Sequence, residues 1–357
     1  MPSRSSQHFC RLFRACLISL VACLVTAPAS AQIINTPNTL YRIADGRAGV
    51  AQRPLPALAG LVRKDDSLFF VDQTNHVIRQ IAANGSTTTF AGLAGTCGAS
   101  DGSSKDARFC VPNGIAVDSK GDLYIADQHF GIIRKISGNA VSIVAGQVGI
   151  CNNANDIAGK AGSLCQPARV AVDRDDNLYV SSLMGVIYRI NPSSGEIRII
   201  AGSYESNCKR ADNGKEANFC QPTGMAIDPA TGNLYVADKG NHTIRKVTPQ
   251  GDVSTYAGKT GEFGAKDGKN KEARFGRPSD VAVDAAGNVY VADTSNNAIR
   301  KITPDGLVST VAGSFGTNIT SLGALPGTIA QPIGIAVIGD GQLAITTSDA
   351  QVLGINF

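Results

Sequence analysis

Histidines, which bind metals and transfer protons, are few in this chain, and two of them recur at a fixed spacing. Beyond the first 31 residues the histidines are His76, His129 and His242. His76 and His242 each follow an aspartate by four residues, whereas His129 follows one by two. A repeated position explains the first two without catalysis, so we expect them to be turn residues that bond to the backbone.

A second set of candidate residues consists of aspartates that end short apolar runs. They are Asp72, Asp127, Asp238 and Asp293. Converging carboxylates could hold Ca²⁺, but side chains repeated in register are usually structural. We therefore expect each to cap or pair within the following turn, with the arginine of an Ile-Arg motif. Those arginines are Arg79, Arg134, Arg245 and Arg300.

Several motifs of metal and phosphate chemistry are missing from the sequence. It contains no H-x-x-H pair, no phosphate-binding glycine loop and no D-x-D-x-D-G calcium loop. We therefore expect no catalytic residue, no cofactor and no bound metal. If the protein acts by binding, the candidate contacts are polar residues of the turns after the aspartates. They are Asn75, His76, His129, Asn241, His242 and Asn296.

The elements that position these residues form a repeat, of which the copy from Pro222 to Gly258 is the clearest. It holds four short apolar runs, separated by turn residues such as Pro249-Gln250-Gly251-Asp252. Short runs of β-branched and aromatic residues bounded by Gly, Pro, Asn and Asp are typical of strands in a meander. One copy therefore predicts one antiparallel sheet of four strands.

Six copies of the second run occur along the chain, and their last residues are 54 to 56 positions apart. Their ends lie at Asp72, Asp127, Ser182, Asp238, Asp293 and Thr347. The sixth copy stops after three strands, and Thr39–Gly46 aligns with the fourth strand at Leu307–Gly313. An N-terminal strand that completes the last sheet closes a ring and removes an open edge. The sequence therefore predicts an all-β, six-bladed β-propeller.

The turn after the second strand resembles that of the NHL-repeat family. Asn241-His242-Thr243-Ile244-Arg245-Lys246 follows a Leu-Tyr-Val-Ala-Asp run, and clear copies begin at Asn75 and Asn296. A WD-repeat interpretation fails, because the period is too long and the chain has no Trp. The third repeat departs most, with Ser182 in place of the aspartate and Ile187-Tyr188-Arg189 in place of Ile-Arg-Lys. The resemblance implies a propeller that presents one face to a macromolecule.

Six cysteines beyond the leader fall in pairs around three connections between repeats. The register predicts Cys97–Cys110, Cys151–Cys165 and Cys208–Cys220, since in the next such connection both members are absent. A metal site is the alternative for these cysteines, but the pairs lie in separate repeats and secreted proteins meet an oxidising environment.

The first 31 residues read as a secretory signal peptide, with Arg4, Arg11 and Arg14 before an apolar run and a small-residue cleavage site. Leu20-Val21-Ala22-Cys23 also resembles a lipobox, in which Cys23 would carry a lipid anchor. We expect a periplasmic or secreted protein, with residues 32–38 as a tether, 39–357 as the propeller and no membrane span. The remaining chain has 30 basic against 29 acidic residues, which gives no electrostatic case for nucleic acid.

These features favour a monomeric, non-enzymatic binding scaffold that contacts a protein at the cell envelope. Its ligand would be contacted by the connections between repeats, because the irregular sequence is concentrated there. Those connections are Leu93–Arg108, Gln147–Ser163, Ser203–Asn218 and Lys259–Arg274. The alternative is a metal-dependent enzyme that resembles peptidyl-amidating lyase or gluconolactonase-like propellers. RNA binding, as in cytoplasmic NHL proteins, is disfavoured by the expected export and the neutral charge.

Overall fold

Each predicted repeat forms one antiparallel sheet. The structure is a computed structural model that describes residues 36–45, 57–151, 162–204, 208 and 217–357. We number the sheets as blades 1 to 6 and name the strands A to D from the inside outward. The signal-peptide, lipid-anchor and cleavage predictions for residues 1–31 lie outside the described residues.

The four strands of each blade follow one another along the chain, except in blade 6. Strand A spans Leu58–Lys64, Pro112–Val117, Pro167–Val172, Pro222–Ile227, Asp280–Val283 and Pro332–Gly339. Strand B spans Ser67–Asp72, Leu123–Asp127, Leu178–Ser182, Leu234–Asp238, Val289–Asp293 and Gln342–Thr347. Strand C spans Val77–Ile81, Ile132–Ser137, Val186–Asn191, Thr243–Val247, Ala298–Ile302 and Gln351–Asn356. Strand D spans Thr87–Ala91, Ala140–Gly146, Glu196–Gly202, Val253–Ala257, Leu307–Gly313 and, in blade 6, Thr39–Asp45.

The A strands of successive blades contact one another all the way round, and blade 6 contacts blade 1. The sheets therefore close into a six-bladed β-propeller, as the sequence predicts. Helical structure in the described ranges is limited to single 3₁₀ turns at Lys239–Asn241, Asn270–Glu272 and Thr294–Asn296. None of the helical segments among the described residues has the length and apolarity to span a bilayer.

The N-terminal strand closes the ring in the predicted way. Thr39–Asp45 runs antiparallel to Gln351–Asn356, with Thr39 opposite Asn356 and Asp45 opposite Gln351, and a bulge interrupts the pairing between Arg42 and Ala44. The first described strand of the chain therefore covers the edge of the last one, which would otherwise be open for pairing.

Three of the long connections add a further, two-residue strand to an outer edge, which the sequence did not predict. Gly102–Ser103, Gly268–Lys269 and Gly323–Ala324 pair with strand D of blades 2, 5 and 6 respectively. The first two of these connections were expected to be irregular, and the third was not part of the sequence interpretation. Instead they lie along the next blade and protect its outer strand.

The core consists of apolar clusters between neighbouring blades. In blade 2, Leu123 and Ile125 of strand B pack towards blade 1, whereas Tyr124 and Ala126 pack towards blade 3. Both faces of strand B are thus buried against a neighbour, which explains its unbroken apolar sequence.

We expect a chain that begins at Arg47 to lose cooperative unfolding or to aggregate, because strand C of blade 6 would lose its partner. A chain that begins at Thr36 keeps the closing strand and is the matched control. Thermal unfolding followed by circular dichroism measures both. Equal, cooperative melting of the two chains would contradict ring closure by this strand.

Candidate binding face

The long D-to-A connections and the B-to-C turns meet at one end of the propeller, which we call the loop face. The amide of Gly95 donates to the Asn75 carbonyl at 3.0 Å, and Gly149 and Gly261 donate to Phe130 and Asn241 at 2.9 Å. The same contact thus recurs after blades 1, 2 and 4. It places both sets of connections on one face.

Disulfides fasten the connections that lead into blades 2, 3 and 4. The pairs are Cys97–Cys110, Cys151–Cys165 and Cys208–Cys220, as predicted from the register. They are local bridges within one connection.

The connection into blade 5 has no cysteines and is fastened by polar contacts. Phe263 and Gly276 occupy the two cysteine positions. The Asn296 amide donates to the Gly264 carbonyl at 2.7 Å, and Arg274 pairs with Glu262 at 2.8 Å. A Cβ at Gly276 would collide with the Asn296 side chain, so glycine at this position makes room for the substitute contact.

The aspartates at the ends of strand B are buried centres of hydrogen bonding. Asp238 accepts bonds from the Cys220 amide at 2.7 Å, from Asn241 at 2.8 Å and from Arg245 at 3.0 Å. Asp293 has the same three kinds of partner. The predicted pairing with the arginine of strand C is therefore confirmed here, and also for Asp72 with Arg79 at 3.1 Å.

Blade 2 contradicts the predicted pairing. Asp127 accepts a bond from the Cys110 amide at 3.0 Å, but Arg134 donates to Asp101 of the preceding connection at 2.7 Å. Phe130 occupies the position of the asparagine of blades 1, 4 and 5 and supplies no side-chain amide donor, and Asp127 Oδ1 has no hydrogen-bond partner. Burial without that compensation raises the pKa of Asp127 to about 7.

The arginines of strand C hold the connections onto the blades. Arg134 donates to the Arg108 and Ser100 carbonyls at 2.7 and 2.8 Å, and its guanidinium lies over the Phe109 ring at 5.1 Å. In blade 5, Arg300 makes the equivalent contacts to carbonyls and to Phe275. These groups are inaccessible to a ligand, so their role is structural.

Blades 3 and 6 lose both charges of this network together. In blade 3, Ser182 donates to the Cys165 carbonyl at 2.5 Å and the Tyr188 hydroxyl accepts a bond from the Cys165 amide at 3.3 Å. In blade 6 the corresponding residues are Thr347 and Leu353, which are also fully buried. Joint replacement avoids a buried unpaired charge, which is costly.

The two in-register histidines also bond to the backbone. His76 Nδ1 accepts from the Val111 amide and His242 Nδ1 accepts from the Arg277 amide, both at 3.2 Å. Burial lowers the pKa of His242, and nearby Arg277 lowers it further. This is the turn role expected for these residues from the sequence. His129 is exposed and packs edge-on against Phe130, with the ring centroids 4.9 Å apart.

The three candidate asparagines also serve the turns. Asn75, Asn241 and Asn296 each donate their side-chain amide to the strand-end aspartate of the same blade. Among the six candidate contacts, the side chain that is both exposed and off the repeat register is His129. Contact between any of the six and a ligand remains a prediction.

Sequence reasoning missed a buried ion pair beside the propeller axis. At the inner-strand position equivalent to Gly224, four blades carry glycine, whereas blade 3 has Arg169 and blade 5 has Asp280. Arg169 Nε lies 3.6 Å from Asp280 Oδ2, and Gly224 of the intervening blade leaves space for the contact. Burial raises the pKa of Asp280, and Arg169 opposes that shift. The break in the glycine pattern was the available signal.

These residues do not fit a divalent cation at the axis. Asp280 lies beside the Arg169 guanidinium, which occupies the place a cation would need. In the part of the chain that the structure describes, no group of three or more His, Cys, Asp or Glu side chains is placed to hold a metal ion.

Large exposed apolar side chains are concentrated on the connections of the loop face. Phe263 is 59% exposed and Ile319 is 71% exposed, and we call this group the apolar rim. Its members are Leu93, Val148, Ile150, Phe263, Phe315 and Ile319. Two of them come from Ser314–Gln331, a connection the sequence interpretation did not include. The other large exposed apolar residues in the described ranges are Leu322, beside the Gly323 that pairs near the start of a D strand, and Leu307, at the start of a D strand on the opposite face.

Fold and turn chemistry together define a six-bladed propeller built from a repeated Asp–Asn–Arg turn. The family model for the Teneurin NHL domain matches residues 94–267, and the model for the NHL repeat matches residues 275–302, which together cover more than half the chain. The chain belongs to the NHL-repeat family, as its turn motif indicated.

Two curated relatives are similar over most of this chain. Protein SUPPRESSOR OF QUENCHING 1 of Arabidopsis thaliana is 24% identical over 94% of the chain, and NHL repeat-containing protein 2 of Homo sapiens is 29% identical over 78%. The aligned regions make up 34% and 43% of those proteins. The chain therefore spans well under half the length of either relative.

Solved structures share the fold at low sequence identity. An auxiliary nutrient binding protein of Bacteroides ovatus has a TM-score of 0.64 at 15% identity, over 89% of this chain and 76% of that one. A Xanthomonas campestris gluconolactonase gives 0.59 at 14%, over 92% and 97%. A Staphylococcus aureus virginiamycin B lyase gives 0.55 at 14%, over 86% and 83%. These likenesses show the fold alone.

We expect Asp238→Asn to destabilise the protein by about 3 kcal/mol, because it leaves buried Arg245 without its counter-ion. Asp127→Asn is the matched comparison, since Arg134 keeps Asp101 and the new amide oxygen can still accept from Cys110. At neutral pH it should be at least as stable as wild type, because no buried carboxyl then has to ionise. Equilibrium urea unfolding measures both variants. Equal losses would show that the two aspartates are equivalent, against the observed contacts.

The raised pKa of Asp127 predicts a pH dependence of known sign. The folded state favours the protonated carboxyl, so its contribution to stability is lost as pH rises from about 4, the unfolded pKa, to about 7. Asp127→Asn does not lose this stability as pH rises, because its amide does not ionise. Its stability relative to wild type should therefore increase by about 3 kcal/mol between about pH 4.5 and about pH 8. A constant difference in urea unfolding across that range would contradict the assignment.

Proposed function

We propose that this protein is a non-enzymatic binding scaffold whose loop face contacts a protein partner. The observation that carries the proposal is the apolar rim, because exposed apolar clusters on an otherwise polar surface mark interaction sites. The same residue types are buried elsewhere in the fold. Their concentration on one set of connections favours that face as the contact surface.

The fastening of these connections supports recognition by a preformed surface. Cys97–Cys110 and the contacts of Arg134 hold one connection, and Asn296, Arg274 and Arg300 hold another. A surface that is already ordered loses less conformational entropy when a partner binds.

The proposal places the protein outside the cytoplasm, in the periplasm or secreted. The three disulfides fit an oxidising environment, since such bonds are rare in reducing compartments. Together with the expected signal peptide, they support action at the cell envelope.

The residues beside the propeller axis favour binding without turnover over the lyase or lactonase alternative. The acid that reaches the axis, Asp280, is buried and lies beside Arg169, so it is poorly placed to hold a metal. Likeness to a lyase and a gluconolactonase at 14% identity shows the fold alone.

Site-specific photo-cross-linking tests the proposal. We expect p-benzoylphenylalanine at Phe263 or Phe315 to cross-link a distinct partner protein when the full chain is expressed in its native cell. The same label at Leu307 is the matched control, because that residue is similarly exposed on the opposite face. The identified partner is then purified and its binding to the propeller is measured.

Serine substitution of Phe263 and Ile319 should weaken that reconstituted binding at least tenfold and leave the melting temperature unchanged. Equal cross-linking from Leu307 and from the rim would contradict a role of the loop face. Lactonase or lyase turnover that is lost on chelation would favour the enzyme instead.

A further inference from the structure

The first residue of each B-to-C turn lies above the start of the inner strands, around the mouth of the axis on the loop face. In blade 2 this residue is Gln128, whose side chain accepts a bond from Asn113 at 3.0 Å. In blade 5 it is Thr294, whose hydroxyl donates to Ser279 at 2.6 Å. This position therefore points its side chain inward over strand A. Blade 4 has Lys239 here.

Lys239 is half-buried and has positive neighbours. Burial lowers the pKa of its ammonium, and Arg277 and Arg169 lower it further. In the described ranges no acidic side chain forms an ion pair with Lys239 or with Arg277, and Asp280 is already beside Arg169. Positive charges gathered without counter-ions oppose one another, so an anion among them would be favourable.

Arg277 is exposed, and its backbone is bonded to the turn that carries Lys239. Its φ of 50° and the bond from its amide to His242 Nδ1 fix the residue between the turn of blade 4 and strand A of blade 5. The neighbouring Ser279 hydroxyl accepts a bond from Thr294 and donates to the Ile333 carbonyl at 2.7 Å. The surface of blade 5 beside Arg277 is therefore ordered by hydrogen bonds.

We propose that Lys239 and Arg277, above Arg169, form a binding site for a carboxylate presented by a protein partner. This inference rests on the proposed function and names the chemistry that the loop face recognises. The carboxylate would enter at the axis while apolar side chains of the same partner cover the rim. A carboxylate fits because two cations without an ion-pair partner among the described residues, one of them able to donate two parallel bonds, match one planar anion.

Acetate is a suitable probe, because it carries the carboxylate without the rest of a partner. The lysines are labelled as ¹³C-dimethylamines, and Lys239 is assigned by loss of its signal in Lys239→Arg. Sodium acetate replaces sodium chloride at constant ionic strength. We expect the Lys239 signal to shift and saturate with acetate, and the signal of Lys120, which is exposed on the opposite face, to stay in place.

Arg277→Gln should weaken acetate binding at least threefold at Lys239. Arg174→Gln removes the same charge from the opposite face and is the matched control, so it should change binding little. A Lys239 shift no larger than that of Lys120, or equal effects of the two arginine variants, would overturn the proposal.

A third measurement separates this inference from the proposed function. Lys239→Met should weaken binding of the purified partner about tenfold, while the cross-link from Phe263 to that partner still forms at a high partner concentration. Undiminished partner affinity in Lys239→Met would overturn the carboxylate site and leave the loop-face scaffold standing. If substitutions in the apolar rim left partner binding unchanged while acetate still bound at Lys239, the loop-face scaffold would be overturned and the anion site would stand.

Discussion

The buried contact between the strand C arginine and the backbone of the preceding connection organises this propeller. Arg134, Arg245 and Arg300 are fully buried, and each donates to a carbonyl of the connection that leads into its own blade. A buried guanidinium must satisfy its donors, and extended loop backbone supplies the acceptors. The arginine thereby ties the loop face to the sheet, so the position of any binding surface depends on it.

The counter-ion of that arginine differs from blade to blade, whereas its hydrogen bond to the connection is the same in blades 2, 4 and 5. Arg245 uses Asp238, Arg134 uses Asp101, and Arg300 uses both Asp293 and Asp267. Blades 3 and 6 have neutral residues in place of both the aspartate and the arginine. A buried ion pair contributes little net stability, but an unpaired one is costly, so the members change together or find another partner.

Much of this fold could be predicted from the sequence, because each local pattern occurs several times in a repeat. The spacing of the second strand gave the blade count, and the paired cysteines gave the disulfides. The exchange of partners at Arg134 was not readable, because it depends on the conformation of the connection carrying Asp101. Likewise Arg169 and Asp280 are more than a hundred positions apart and meet only once the ring has closed.

Repetition also separates structural residues from candidates for function. A side chain that every blade needs, such as the strand-end aspartate, recurs and is buried. Arg169, Lys239 and Asp280 break the repeat where the blades converge, and the fold alone does not require them, since other blades carry glycine or a neutral turn residue there. Six near-equivalent blades can recognise a single ligand only through such departures, and the mouth of the axis is the place where departures from several blades come into contact.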